Sequence, residues 1–108
     1  MGGLMISVTH FESAEPDFAE RARLALATLS QRPGYLRGSF ARSTDSDSRW
    51  VIVTEWQSVG AYRRALGAYE VKMYAAQLLG EALDQDSAFE AVLSIADGTA
   101  TEHQTYRA

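Results

Sequence analysis

Of the side chains that most often act as nucleophiles, bases or metal ligands, this chain of 108 residues carries two histidines, His10 and His103, and no cysteine. The lack of cysteine removes disulfides, thiolate metal sites and a thiol nucleophile, and fits a reducing compartment. The two histidines have no ligand spacing and no acidic cluster accompanies them, which argues against a metal site. No Ser-His-Asp arrangement can be argued from these positions. Gly60, Gly67 and Gly80 are dispersed rather than gathered into a phosphate-binding loop. Asp45 and Asp47 sit in a Ser-rich stretch that reads as a solvated turn.

The elements that must position any site are organised around 49–56, Arg-Trp-Val-Ile-Val-Thr-Glu-Trp, which reads as a strand carrying both tryptophans. Alternation puts Trp50, Ile52, Thr54 and Trp56 on one face and Val51, Val53 and Glu55 on the other. Residues 5–11 alternate likewise, with Ile6, Val8 and His10 opposite Ser7, Thr9 and Phe11. Pro16 fits a helix start, and Phe18, Ala22, Ala25, Leu26 and Leu29 form one apolar stripe. Pro33-Gly34 ends that helix. A second strand over 35–43 and a turn over 44–48 predict a hairpin with the central strand. Ser58 suits the N-cap of a second helix. Gly67 should divide that helix into 59–66 and 68–83, with a last strand over 89–95 and a loose tail from 96 to 108.

The order strand, helix, strand, strand, helix, strand is that of an α+β, ferredoxin-like split βαβ fold, an antiparallel sheet with both helices on one face. The domain should span residues 5–95, with a loose extension at 1–4 and the tail at 96–108. The uncovered face then carries Ile6, Val8, His10, Val51 and Val53, an apolar surface that predicts a homodimer packed sheet against sheet. Hydrophobic residues make up 46% of the chain and the net charge is −4. No basic stripe favours nucleic acid, no apolar run reaches a membrane span, and the first residues lack the pattern of a signal peptide. A cytoplasmic location is the expectation.

Three features in order, Arg32-Pro33-Gly34-Tyr35-Leu36, the strand from Trp50 to Trp56, and Trp56-Gln57-Ser58-Val59-Gly60-Ala61-Tyr62 entering the second helix, resemble the antibiotic biosynthesis monooxygenase family of dimeric α+β barrels. The resemblance covers most of the chain. It implies a barrel dimer and a pocket in each subunit between sheet and helices. Some members of that family oxygenate polycyclic aromatic compounds without metal or flavin, others bind and degrade haem, and many have no known activity.

Carried onto this chain, the family pocket involves Ser7, Thr9, Phe11, Ile52, Thr54, Trp56, Tyr62, Tyr74 and Leu78. Trp56, Ile52 and Phe11 would form apolar walls, and Tyr62, Tyr74, Ser7 and Thr9 would supply hydroxyls. The plainer alternative is that all are core residues whose hydroxyls bond backbone. The resemblance implies a cofactor-independent monooxygenase acting on a polyketide- or quinol-like aromatic molecule, with no cofactor and no metal. The alternative is a non-catalytic small-molecule-binding or scaffold member of the fold. Trp56 and Tyr62 match the oxygenase pattern, whereas Ile52 and Ala76 stand where oxygenases of the family place an Asn and an Arg. In the haem-degrading branch, a helix His and a first-strand Asn correspond to Tyr74 and Ser7, which leaves only tyrosine ligation open.

Overall fold

The computed structural model describes residues 3–105 and runs β1 (Met5–Glu12), α1 (Phe18–Ser30), β2 (Tyr35–Arg42), β3 (Arg49–Trp56), α2 (Val59–Leu66), α3 (Tyr69–Tyr74), α4 (Ala76–Leu79), β4 (Ala88–Glu90), β5 (Leu93–Ala96) and β6 (Thr99–Glu102). Four strands form an antiparallel sheet in the order β2-β3-β1-β4. This is the ferredoxin-like α+β arrangement, with the two consecutive hairpin strands β2 and β3 adjacent and β1 inserted between β3 and β4.

β1 and β3 pair along their full length, from Met5 opposite Trp56 to Glu12 opposite Arg49. The pairing places Met5, Ser7, Thr9 and Phe11 on the same face as Trp50, Ile52, Thr54 and Trp56. All of these are buried except the half-buried Trp50. α1 lays Phe18, Ala22, Ala25 and Leu29 on this side, and α2 adds Ala61 and Ala65. Small residues on the helices let their backbones approach a sheet face rich in large rings. At the hairpin end, Phe18 packs between Phe11 (5.5 Å), Trp50 (5.6 Å) and Phe40 (6.2 Å), and Phe40 stacks on Trp50 at 5.3 Å. These rings remove a large apolar area from water and anchor the start of α1.

The chain enters α2 through Ser58, whose hydroxyl accepts from Ala61 N at 3.1 Å and satisfies one of the free donors of the first turn. The second helical stretch is broken twice rather than once. Gly67 ends α2, and Ala75, with φ of −129° and its methyl buried, separates α3 from α4. The helix expected to reach residue 83 stops at Leu79, and Leu83 N instead donates to the carbonyl of His10.

The last strand is also divided. β4 spans three residues beside β1, after which Ala91 N donates to Leu4 O and the chain leaves the sheet. β5 then pairs with β6 across Asp97-Gly98, both with positive φ (53° and 77°). Asp-Gly is the favoured chemistry for a two-residue hairpin turn. The segment expected as a loose tail therefore holds a strand, and Gly3 N bonds Gln104 O beside it. Residues 1–2 and 106–108 lie outside the described part.

Gly34 connects α1 to β2 with φ of +91°, and a Cβ there would meet the Ala61 methyl at 2.5 Å. Gly34→Ala should destabilise the fold by more than about 1 kcal/mol, from both backbone strain and the clash. Gly98→Ala shares the positive φ but has nothing within 4 Å, and should cost less. Urea unfolding midpoints of the two variants check this ordering.

Candidate active site

Three polar residues, Ser7, Thr9 and Thr54, are buried in the otherwise apolar layer between sheet and helices. Ser7 and Thr54 face each other across the β1–β3 ladder, and their hydroxyls hydrogen-bond at 2.9 Å. The Trp56 indole N–H donates to the same Thr54 oxygen at 2.7 Å. Thr54 is fully buried, so its oxygen depends on these partners. With the indole donating to it, Thr54 can pass its own O–H to Ser7.

Tyr62 from α2 completes the group. Its ring lies 5.6 Å from Trp56, and Tyr35 meets the indole edge-on at 5.4 Å. Burial pushes the Tyr62 phenol above its ordinary pKa, an effect that a hydrogen bond from Ser7 opposes more weakly. Burial also raises Tyr35. Both are neutral phenols at physiological pH, able to donate rather than to act as bases. A donor chain thus runs from the Trp56 indole through Thr54 and Ser7 towards the Tyr62 oxygen, the place where it would stabilise negative charge.

The family-derived candidates divide by position. Ser7, Thr54, Trp56 and Tyr62 come together. Ile52 is buried two residues along the same face of β3, opposite Thr9. Phe11 belongs to the ring cluster at the far end of the sheet, six residues along β1 from the partner of Trp56, or roughly 20 Å at the rise of a strand. Leu78 is buried in the core.

Tyr74 does not turn over the sheet. It is 53% exposed and lines an outer groove of about 400 Å³ between α1 and α3, with Leu24, Ala27, Thr28, Gln31, Arg32 and Glu70. The break at Ala75 follows it directly, and the buried residues of this stretch are Val71, Ala75 and Leu78 instead. A haem axial role for Tyr74 finds no enclosed pocket around it. Tyr35, which the sequence reading did not single out for the site, reaches Trp56 because it opens β2 directly opposite it. Among the described residues, no group of three or more His, Cys, Asp or Glu is arranged to hold a metal.

A ferredoxin-like sheet with an aromatic and hydroxyl-bearing interior defines a small α+β protein by its fold. The sequence profile of antibiotic biosynthesis monooxygenases matches residues 1–77, and the chain belongs to that family. Among solved structures it is similar to SnoaB, a cofactor-independent oxygenase from Streptomyces nogalater, at 22% identity and TM-score 0.70, covering 84% of this chain and 94% of that one. A Nitrosomonas europaea protein classed with the antibiotic biosynthesis monooxygenases matches at 11% identity and TM-score 0.68, over 85% and 93% of the two chains. One from Deinococcus radiodurans matches at 20% identity and TM-score 0.66, over 85% and 96%. Among curated proteins none matches.

Thr54→Val keeps the shape of the side chain but strips the Trp56 N–H and the Ser7 hydroxyl of their partner. It should cost about 1–3 kcal/mol in a urea titration, whereas Thr54→Val combined with Ser7→Ala should cost less than the sum of the two single changes.

A raised phenol pKa makes the unfolded chain lose its proton before the folded one does. The Tyr62 contribution is therefore complete below about pH 10 and is lost as pH rises through the folded value. Stability should fall above that pH, and fall less steeply in Tyr62→Phe.

Proposed function

We propose that this protein is a cofactor-independent monooxygenase acting on a polyketide- or quinol-like phenolic molecule held between the sheet and the second helical stretch. The observation that carries the reading is the buried donor chain Trp56–Thr54–Ser7 leading to Tyr62, in a family whose structural relatives include a cofactor-independent oxygenase. The substrate is the electron source. Its phenolate carries charge onto a ring carbon that adds O2, and the resulting hydroperoxide loses water to leave a carbonyl. One oxygen atom stays in the product and one leaves as water, so the reaction needs no outside reductant. The neutral Tyr62 phenol donates to the developing oxyanion or peroxide, and the Ser7 and Thr54 hydroxyls behind it hold that dipole in place. Trp56 and Tyr35 supply ring surface and exclude water.

Entry runs through α3 and α4. These two pieces span only residues 69–79, are flanked by Gly67 and Gly80 and are interrupted at Ala75. Arg32–Glu70 (3.3 Å) ties α3 to the turn that follows α1, and Arg21–Glu81 (2.9 Å) ties the residue just past Gly80 to α1 itself. The Arg21 hydrogen bond holds the Glu81 carboxyl below its usual range. Surface pairs of this kind contribute at most about 1 kcal/mol each, a small barrier to displacement.

The same reading takes the protein as a cytoplasmic homodimer. The sheet face away from the helices bears Ile6, Val8, Val51 and Val53, with Phe89 47% exposed beside them, and Val92, Leu93 and Ile95 exposed around β5. A face of this extent is characteristic of an interface between copies.

Incubation with polycyclic phenols in air and under nitrogen tests the activity. The expected result is product formation only in air, with one atom of label from ¹⁸O2 in the product and a rate at least about tenfold lower in Tyr62→Phe. Saturable binding without oxygen consumption would instead support a non-catalytic ligand-binding role, which Ile52 and Ala76, apolar where oxygenases of the family carry Asn and Arg, also fit. For assembly, Val53→Asp should dissociate or unfold the protein, because the charge would be buried without a partner. Sedimentation of the unaltered chain as a stable monomer at micromolar concentration would sink the dimer.

A further inference from the structure

The outer groove between α1 and α3, of about 400 Å³, contains an arginine with an unmet hydrogen-bonding group. We propose that this groove is a second ligand site, one that takes an aromatic carboxylate. Its walls come from α1, the turn after it and α3, so the sheet face assigned to the second copy takes no part in it.

The state of Arg32 is the first reason. Among the described residues, its Nε is the one buried side-chain nitrogen or oxygen without a hydrogen-bond partner. A buried donor left unpaired is costly, and more so on a charged group. The side chain makes a single hydrogen bond, from Nη1 to Glu70 at 3.3 Å, which is long for a charge-assisted pair. Glu70 is itself 57% exposed and is the one carboxylate lining the groove. An exposed pair of this kind is weak and readily exchanged. A ligand carboxylate in its place can lie side-on to the guanidinium and accept from Nε and an Nη together, which Glu70 does not do. Reaching Nε requires the side chains around it to shift. The two at its end of the groove, Gln31 and Glu70, are exposed and held by long hydrogen bonds of 3.5 and 3.3 Å.

The second reason is the character of the rest of the groove. Leu24, Thr28 and Arg32 lie a turn apart, so the groove follows two turns of α1, about 11 Å. Thr28 gives its hydroxyl hydrogen to the Leu24 carbonyl at 2.8 Å and offers no donor to an occupant. Tyr74, one turn along α3 from Glu70, brings an aromatic ring to the other wall. Leu24 and Tyr74 also border a smaller neighbouring cavity, of about 130 Å³, that reaches Met73 and the buried Leu78. The apolar strip therefore continues beyond the groove. Leu24, Met73 and Tyr74 are each more than half exposed, and a flat fused-ring system would cover them where a small polar ion would not. Length and volume suit two fused rings with an acid at one end.

The test is calorimetric titration of the full chain with 2-naphthoate and, separately, with 2-naphthamide, which has the same rings and no charge. Amide chemical shifts of Ala27, Gln31 and Tyr74 locate the site. Naphthoate should bind there about tenfold more tightly than the amide, and Arg32→Gln should remove that difference. Glu70→Gln should tighten naphthoate binding about two- to fivefold, because it takes away the competing carboxylate. A pair that served packing alone would give no such gain. Ala27→Phe fills the groove from an exposed helix position and should abolish binding with an unchanged urea midpoint. This variant keeps the test intact if Arg32→Gln unfolds. Arg37→Gln, whose arginine pairs with Glu55 outside the groove, should leave binding unchanged. Equal affinity for the two probes, or naphthoate binding indifferent to Arg32, overturns the proposal and leaves only an apolar surface. Absence of binding by naphthoate at millimolar concentration overturns it as well. Binding that survives Ala27→Phe, or that disappears in Tyr62→Phe, would put the ligand in the core and overturn the outer site. Oxygen consumption tests the oxygenase reading separately, and neither outcome there bears on the groove.

Discussion

The register of β1 on β3 is the constraint on which the rest of the structure depends. Side chains alternate along a strand, so a slip of one residue would exchange the two faces. Ser7, Thr9 and Phe11 would turn away from the helices, and Ile6, Val8 and His10 would come beneath them. The observed register is fixed at both ends by bulk. Phe11 and Trp50 meet α1 through Phe18, and Met5 and Trp56 are fully buried at the other end. Once this pairing is set, the aromatic interior, the buried hydroxyls and the apolar outer face follow from the sequence with no further choice.

The hydroxyls are the costly part of that interior. A buried hydroxyl without a partner costs about 1–3 kcal/mol, and valine would fill the place of Thr54 at no such risk. Here the cost is offset because the register sets Ser7 and Thr54 opposite each other and the Trp56 N–H reaches the same oxygen. The network is satisfied at its buried end and runs out to the half-buried Tyr62 at the other. A purely structural network would gain nothing from ending on a phenol near the edge of the core, whereas a site that must hold charge on a ligand oxygen gains a polarised donor there.

Much of the fold was legible because its signals are local. Alternation in β1 and β3, Pro33-Gly34 after α1 and Ser58 before α2 each report a backbone requirement within a few residues. The Asp97-Gly98 turn was equally local, and was obscured by the polar, small composition around it. The break at Ala75 carries no Gly or Pro, so nothing in the residue itself announces it. It also explains Tyr74, whose spacing from Val71 and Leu78 fits one apolar stripe only if the helix continues unbroken. The Ser7–Thr54 hydrogen bond joins residues 47 apart and becomes visible only when the strand register is known.

The two halves of the helical layer differ in how readily they can move. α1 is one continuous helix of 13 residues that seats four buried side chains on the sheet. The other half is cut into pieces of eight, six and four residues, each below the length at which a helix is stable by itself, and α3 and α4 each bury a single residue of their own. Local opening follows the segments with least buried contact, so it falls on α3 and α4 rather than on α1 or the sheet. α3 packs against α1 and against α2, the piece that carries Tyr62. In the proposed dimer the opposite sheet face would be held by the second copy, which stiffens the half that fixes Ser7, Thr54 and Trp56. A rigid floor that sets donor positions under a segment that can lift is the division of labour that binding a bulky aromatic molecule and then excluding water requires.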